Sequence, residues 1–437
     1  MADHAVSADA AVQAQLDRLW ALSPGADILG LDRITRLLAR LGDPQRALPP
    51  VFHVAGTNGK GSTCAFLRAA LEAAGCRVHA YTSPHLVRFN ERIRIAGTLI
   101  DDATLAALLA EVLDAGGDIG ASFFEVTTAA AFLAFARNPA DACVIEVGLG
   151  GRLDATNVLP APVACGIAAL GLDHQSFLGD TLEQIAAEKA GIAKPGVPLL
   201  TMAYPAGIAQ VIARTAKAAD TPLLAQGAGW QARSTPEGIA YTDRNGALVL
   251  PIPTMPGPHQ CDNLALAAAM LRHQDAVRIP DAALAAAART ARWPARLQRL
   301  APGPLTAALP ATAFWLDGGH NPSAGDAIAG WIDATDAPRA LVVGMLANKD
   351  PAGFLRPFAD RIDTLVAVPV PGHEHHAPDA LVALARSLGI ATAFAATDPI
   401  AAVAALAARG EPPAVMLFAG SLYLAGMVLA ANDKLPD

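Results

Sequence analysis

The stretch Val51-Phe52-His53-Val54-Ala55-Gly56-Thr57-Asn58-Gly59-Lys60-Gly61-Ser62 reads as a phosphate-binding turn. An apolar run feeds a glycine-rich loop, and a helix-forming stretch follows. Backbone N–H groups of Thr57, Asn58, Gly59, Lys60 and Gly61 can wrap phosphate oxygens, and the positive end of the helix dipole adds to them. Lys60 can reach the terminal phosphates of a nucleotide, and Ser62 is placed to ligate Mg²⁺. The spacing is GxxGKGS, with the hydroxyl two places after the lysine, not the GxxxxGK[ST] of the common loop. A bare glycine turn could occupy this position, but a lysine among three glycines after an apolar strand favours a phosphate. The chemistry indicated is that of a nucleotide triphosphatase or transferase.

Two other patterns carry less. Gly227-Ala228-Gly229-Trp230-Gln231-Ala232 superficially fits a dinucleotide fingerprint, but Ser234-Thr235-Pro236 interrupts the helix that would have to follow, so it reads as a loop. His373-Glu374-His375-His376 could suggest a metal cluster. It follows the turn-rich Pro369-Val370-Pro371-Gly372, and an exposed loop is the better reading.

The elements that must position the phosphate loop are legible as alternation. Apolar runs at Val51–Ala55, Arg77–Tyr81, Ala142–Val147, Val163–Ala168 and Val197–Thr201 are separated by the Ala-rich helical stretches Ser62–Ala74, Asp102–Ala115 and Thr127–Ala136. Continuous apolar strands between helices predict a parallel sheet covered on both faces. A second series follows Pro302: Phe314–Leu316, Leu341–Gly344, Thr364–Val368, Ala391–Phe394 and Val415–Phe418, with helices such as Pro378–Leu388 and Ile400–Ala408 between. The expected fold is α/β: a parallel-sheet ATPase domain with the phosphate loop over residues 1–297, then a smaller Rossmann-like α/β domain over 298–437. Arg292-Trp293-Pro294-Ala295-Arg296 supplies the linker, and Gln226–Pro258 reads as a small β insertion in the first domain.

Composition narrows the setting. Hydrophobic residues make up 53% of the 437 and charged ones 16%, which excludes wholesale disorder. Lys+Arg at 32 against Asp+Glu at 40 leaves −8, without a basic block, so nucleic acid is not an expected partner. Five scattered cysteines and no CxxC pair read as reduced thiols in a cytoplasmic protein. The N-terminus lacks the basic, then apolar, order of a secretory signal. Ala414–Ala431 is uncharged, but the Gly420-Ser421 break makes it a strand, turn and helix rather than a membrane span.

The short phosphate loop resembles that of the Mur-ligase superfamily, the ATP-dependent amide-forming ligases. Further segments resemble, in the same order, those of the folylpolyglutamate synthase/dihydrofolate synthase family. They are Tyr81–Leu86, Phe89–Ile93, Phe124–Thr128, Glu146–Asn157, Gly171–His174, Glu188–Ile192, His259–Asn263, Trp293–Arg296 and Asp317–Pro322. The family resemblance runs from about residue 29 to Gly420-Ser421 and implies joining of L-glutamate to a folate-type carboxylate at the expense of ATP, through an acyl phosphate.

By this resemblance Ser83, Glu146 and His174 are Mg²⁺ ligands, with Ser62 close to the nucleotide-bound metal. Lys189 aligns with a lysine that is carbamylated in the superfamily and helps hold a second Mg²⁺; taken alone, it is a lysine favoured at a helix C-terminus. Asn263 and Arg296 are contacts of ATP, Asp317 is supplied from the second domain, and His320 belongs to the glutamate or phosphate site. Gly319 stands where the common pattern has alanine. Asp27–Ile34 resembles the segment that helps form a dihydropteroate site in bacterial members with both activities. Leu29, Gly30, Leu31, Ser122, Phe123, Phe124, Glu125, Leu153, Asp154 and Ala155 would line it. Phe123 or Phe124 would stack on the pterin, and Asp154 would accept its N–H groups. The expectation is a monomeric enzyme with both activities, acting on dihydropteroate, folates and L-glutamate. Three alternatives stand beside it. One is folylpolyglutamate synthase activity alone. Another is a peptidoglycan Mur ligase, disfavoured by the short segment before Gly56. The last is a nucleotide-regulated binding protein, which would not need Glu146, His174, Lys189 and Asp317 around one pocket.

Overall fold

The computed structural model of the chain describes residues 6–22, 29–332, 338–410 and 412–436. Its first sheet contains β1 (Val51–Ala55), β2 (Val78–Tyr81), β3 (Ile93–Ile95), β4 (Thr98–Leu99), β5 (Ala142–Glu146), β6 (Ala164–Ile167), β7 (Leu199–Thr201) and β8 (Leu223–Ala225). They lie in the order β4-β3-β2-β5-β1-β6-β7-β8. All neighbours from β2 to β8 are parallel, while β3 and β4 form an antiparallel edge beyond β2.

The strand β1 is buried at every position because both faces of the sheet are covered. Phe52 and Val54 pack with Phe66 and Leu67 of the helix Lys60–Ala73 and with Leu264 of the helix His259–Arg272. Val51 and the neighbouring Cys143 and Ile145 join Phe132 and Phe135 of the helix Phe123–Arg137 on the other face. Removing each such side chain from water contributes roughly 1.5–3 kcal/mol, so the sequence pays for continuous apolar strands with a rigid sheet. Parallel pairing brings the C-terminal ends of β1, β2, β5 and β6 to one edge, where ligands bind in open α/β sheets.

The stretch Gln226–Pro258 holds β9 (Trp230–Thr235), β10 (Gly238–Asp243) and β11 (Gly246–Leu250), an antiparallel meander. The GxGxxA stretch is thus the turn into β9 and no helix follows it. Trp230, Ile239, Tyr241 and Leu250 carry the meander onto the core under the helix His259–Arg272.

The second sheet contains β12 (Gln298–Arg299), β13 (Ala313–Leu316), β14 (Arg339–Val343), β15 (Thr364–Ala367), β16 (Thr392–Ala395) and β17 (Val415–Ala419), in the order β12-β13-β17-β14-β15-β16. Only β12 runs antiparallel to its neighbour. Leu341, Val343, Leu365 and Leu417 face Phe354, Phe358 and Leu381; Val342, Val366, Met416 and Phe418 face Val403, Leu406, Leu424 and Val428. Ala414–Ala431 resolves into β17, a turn and the helix Leu422–Ala431; among the described residues no helix is long and apolar enough to cross a membrane.

The chain passes between the sheets through Ala295 and Leu297, two non-glycine residues at φ 55° and 42°. This uncommon backbone is held from the second sheet: the Leu297 N–H donates to Asp317 Oδ2 at 2.8 Å and the Gly318 N–H to Ala295 O at 2.9 Å.

Candidate active site

The phosphate loop leaves β1 at Gly56, and the helix begins at Lys60. A side chain at Gly59 (φ +83°) would put its Cβ 2.3 Å from Asn263 Oδ1, and one at Gly61 would stand 2.5 Å from Trp293 Nε1. Glycine at these positions lets Asn263 and the linker tryptophan close directly on the loop. One expectation is corrected here. The Thr57 and Asn58 amides do not face outward as phosphate donors; both donate to Ala169 O, at 2.8 and 3.0 Å, which pins the loop to the end of β6. The first-turn amides of the helix, from Lys60 onward, have no intrahelical acceptor and remain for an anion. Lys60 Nζ rests 3.4 Å from Thr57 O, and the Ser62 hydroxyl is buried without a hydrogen-bond partner among the described residues.

Glu146, the last residue of β5, pairs in register with Val54 of β1 and therefore emerges beside the loop. Its carboxylate is buried and accepts one long hydrogen bond, from the Ser83 N–H at 3.3 Å. Burial pushes its pKa up, against the pull of Lys60 and Arg296. Lys189, in the last turn of the helix Leu182–Ala190, is 5% exposed, and its Nζ donates to Gly56 O at 2.9 Å. Burial above all, and then Lys60, lower its pKa to about 7.

Asp173 sits where the two sheets meet. Lys349 Nζ lies 2.5 Å from one of its oxygens and His320 Nε2 3.4 Å from the other, while His320 Nδ1 bonds Gly318 O at 2.8 Å. Burial opposes the Asp173 charge, yet His320, His174 and Lys349 together hold the carboxyl well below the usual range. His174 is at φ 53°, and its side chain is 39% exposed. Its partial burial depresses the imidazole; Asp173 pulls the other way, and Lys349, His320 and Lys60 deepen the depression. A reciprocal amide pair, Asn58 with Asn321 at 3.0 and 3.2 Å, adds a second tie.

Asn263, Arg296 and Asp317 line the same cleft as Lys60, Ser62, Ser83, Glu146, His174, Lys189 and His320, which has a volume of about 290 Å³. Both Asp317 oxygens accept backbone N–H groups, from Leu297 and Gly319, so it also braces the linker. At Gly319 a Cβ would meet Ile328, Ala324 and Asp317 at 2.8–2.9 Å, so an alanine there requires these neighbours to shift. The donor set fits a hard cation: the partnerless Ser62 hydroxyl, Ser83 and the sparsely bonded Glu146 carboxylate offer oxygen, and Lys60 offers charge to phosphate. The His373–His376 segment lies elsewhere and is only partly exposed: His373 stacks on Tyr423 at 3.8 Å and His376 Nε2 bonds Lys349 O at 3.1 Å. Among the described residues no group of three or more His, Cys, Asp or Glu side chains is arranged to hold a metal.

A second cavity of about 270 Å³ is lined by Leu29, Gly30, Ser122, Phe123, Phe124, Glu125, Leu153, Asp154 and Ala155. Leu31 is not among its lining residues; it packs against the core, and Asp27 and Ile28 lie outside the described residues. Phe123 is held between Trp20 (stacked, 5.2 Å) and Phe89 (edge-on, 5.8 Å), leaving Phe124 the less buried ring. Asp154 Oδ1 accepts from the Thr156 N–H and hydroxyl, and Oδ2 from the Leu149 N–H at 2.8 Å. Burial raises the Asp154 pKa. The two cavities share Ser83, Pro84, Gly148, Leu149, His174, His320 and Leu422, so a ligand in one reaches the other there. Lys349, Asp173, Arg92 and His259 also line these spaces. None of the four has a role assigned from the sequence.

The Mur ligase, glutamate ligase domain family matches residues 304–422. The dihydrofolate synthase/folylpolyglutamate synthase of Escherichia coli K12 is 38% identical over 349 residues, covering 79% of this chain and 78% of that protein. The solved structure of E. coli FolC in complex with DHPP and ADP superposes with a TM-score of 0.87 at 32% identity, covering 97% of each chain. The bifunctional folylpolyglutamate synthase/dihydrofolate synthase of Yersinia pestis, complexed with AMPPNP and Mn, gives 0.85 at 31%, covering 96% of this chain and 97% of that one. With this identity over most of its length and these superpositions, the chain belongs to the dihydrofolate synthase/folylpolyglutamate synthase family.

Proposed function

We propose that this protein joins L-glutamate to the carboxylate of dihydropteroate, giving dihydrofolate, and to the terminal carboxylate of folates, with ATP converted to ADP and phosphate. The observation that carries this reading is the shared wall of the two cavities: a flat substrate filling one brings its carboxylate to the phosphates held in the other. A carboxylate is a poor electrophile. Transfer of the γ-phosphoryl group makes it an acyl phosphate; the glutamate amine then forms the C–N bond as the C–O bond to phosphate breaks and phosphate leaves with the electron pair. Phosphoryl transfer rests on positioning and charge neutralisation. Lys60, the first-turn amides and Arg296 meet the phosphates, and Asn263 and Asp317 the nucleoside.

Ser62, Ser83, Glu146 and His174 would hold Mg²⁺, with Lys189 at a second site once carbamylated. The metal supplies positive charge to the phosphate oxygens. Carbamylation needs a neutral amine, which forms a bond to CO₂ and releases a proton; a buried amine with pKa about 7 supports it. In the substrate cavity Phe124 stacks on the pterin, and Asp154 accepts an N–H from it. His320 serves the glutamate or the departing phosphate. On this reading the units are residues 1–297 and 298–437, supported by sheets drawn separately from the two ranges. Closure through Asp173–Lys349 and Asn58–Asn321 excludes water from the acyl phosphate. The enzyme works as a monomer in the cytoplasm, in keeping with five free cysteines.

ADP release tests this: it should require glutamate together with either dihydropteroate or tetrahydrofolate. ADP release indifferent to glutamate would refute ligation, and extension of tetrahydrofolate alone would refute the dihydrofolate synthase half.

A further inference from the structure

A third cavity meets the other two at Ser83, Pro84 and Leu422. It lies between the helix Lys60–Ala73, the β3–β4 edge and the Arg292–Arg296 linker, and four arginines line it: Arg68, Arg94, Arg292 and Arg296. Two carboxylates, Glu91 and Glu146, also line it. Glu91 is committed elsewhere, because its oxygens accept the N–H groups of Leu86, Val87 and Arg88 at 2.6–2.9 Å. Glu146 marks the mouth, shared with the nucleotide cleft. Arg296 and Arg292 bond chiefly to backbone carbonyls, and Arg94 donates to Gly97 O at 2.8 Å. Among the described residues Arg68 makes a loose ion pair with Glu72, at 3.8 Å, and its buried Nε has no hydrogen-bond partner. Guanidinium groups gathered in a cleft this way have the donor geometry that carboxylates take.

We propose that this cavity binds the α-carboxylates of a γ-linked oligoglutamate tail on the substrate being extended. The inference rests on the ligase reading above and adds to it a place for the tail. Dihydropteroate carries one carboxylate, which must sit at the phosphates, so it leaves the arginine cavity unused. A folate with two or more glutamates brings its terminal γ-carboxylate to the same point and must put its remaining α-carboxylates somewhere close by. The cavity opens at that point and carries the opposite charge.

The test compares Arg68→Gln and Arg94→Gln with the unaltered enzyme, using dihydropteroate and tetrahydrofolates bearing one, two and three glutamates. Loss of one charge-assisted contact should raise KM for the di- and triglutamate about tenfold. KM and kcat for dihydropteroate, and KM for L-glutamate measured with it, should stay within about twofold. If KM for L-glutamate rises with dihydropteroate as acceptor, the cavity belongs to the incoming amino acid and the proposal falls. It falls equally if tail length makes no difference to either variant. A measurement on the unaltered enzyme guards against variants that fail to fold: KM should climb more steeply with salt as the tail lengthens, and equal salt slopes overturn the proposal. Absence of dihydropteroate turnover in the unaltered enzyme would instead refute the bifunctional reading, leaving the tail comparison intact.

Discussion

Lys189 is the residue whose replacement should speak most clearly. It is 5% exposed, with its amine against Gly56 O, and burial lowers its pKa from 10.5 to about 7. The unfolded chain keeps the ordinary value, so between pH 7 and 10.5 the unfolded state binds the extra proton. Stability therefore rises with pH in that window, and protonation below about pH 7 removes the dependence. For one group, the gain from pH 7 to pH 9 is about 2 kcal/mol. Lys189→Met keeps an unbranched apolar stem and deletes the titration. Urea unfolding of both proteins in CO₂-free buffer, at pH 7, 8 and 9, should show the lysine protein gaining about 2 kcal/mol on the methionine variant. Parallel pH profiles would refute the depressed amine, and with it the chemical reason for expecting a carbamate. Added bicarbonate should stabilise only the lysine protein.

Lys60→Ala should fold normally and lose turnover by about three powers of ten or more, since its contact strengthens as charge develops on the phosphates; near-normal kcat would remove the loop assignment. Lys189→Met should be inactive in ligation, with partial return when a short carboxylate is added; full activity without it would count against metal binding there. Asp154→Asn should raise KM for dihydropteroate at least tenfold by exchanging the pterin-facing acceptor, while a stability check separates the loss of its bonds to Thr156 and Leu149. Gly61→Ala forces a methyl against the Trp293 ring and should cost roughly 1–3 kcal/mol in urea unfolding.

Much of this was legible because the chemistry is local. The run from Val51 to Ser62 contains its own strand, turn, cation and hydroxyl, and the parallel sheet announces itself in strands apolar on both faces. The substrate cavity was legible only by resemblance, since Ser122 to Glu125 and Leu153 to Ala155 are joined by folding alone. Asp173 and Lys349 carried no assigned role for the same reason: they are 176 positions apart and meet only in the folded chain. Short edges such as β4 and β12, two residues each, are too brief to show a period. The meander strand β9 was hidden because its buried Trp230 alternates with polar residues, a pattern that also describes a turn-rich loop. The use of the Thr57 and Asn58 amides on Ala169 could not be read from the glycine spacing, because it depends on where β6 ends.

The central claim is that a folate-type carboxylate is activated by phosphate at the junction of the two cavities and then captured by glutamate. Dihydropteroate labelled with ¹⁸O in its carboxylate tests it directly, with ATP, Mg²⁺ and L-glutamate supplied and both products analysed by mass spectrometry. Phosphate should carry one ¹⁸O from the acyl phosphate, and dihydrofolate should retain one in its new amide. Dihydrofolate formed alongside unlabelled phosphate, or phosphate released with no dihydrofolate at all, would contradict it.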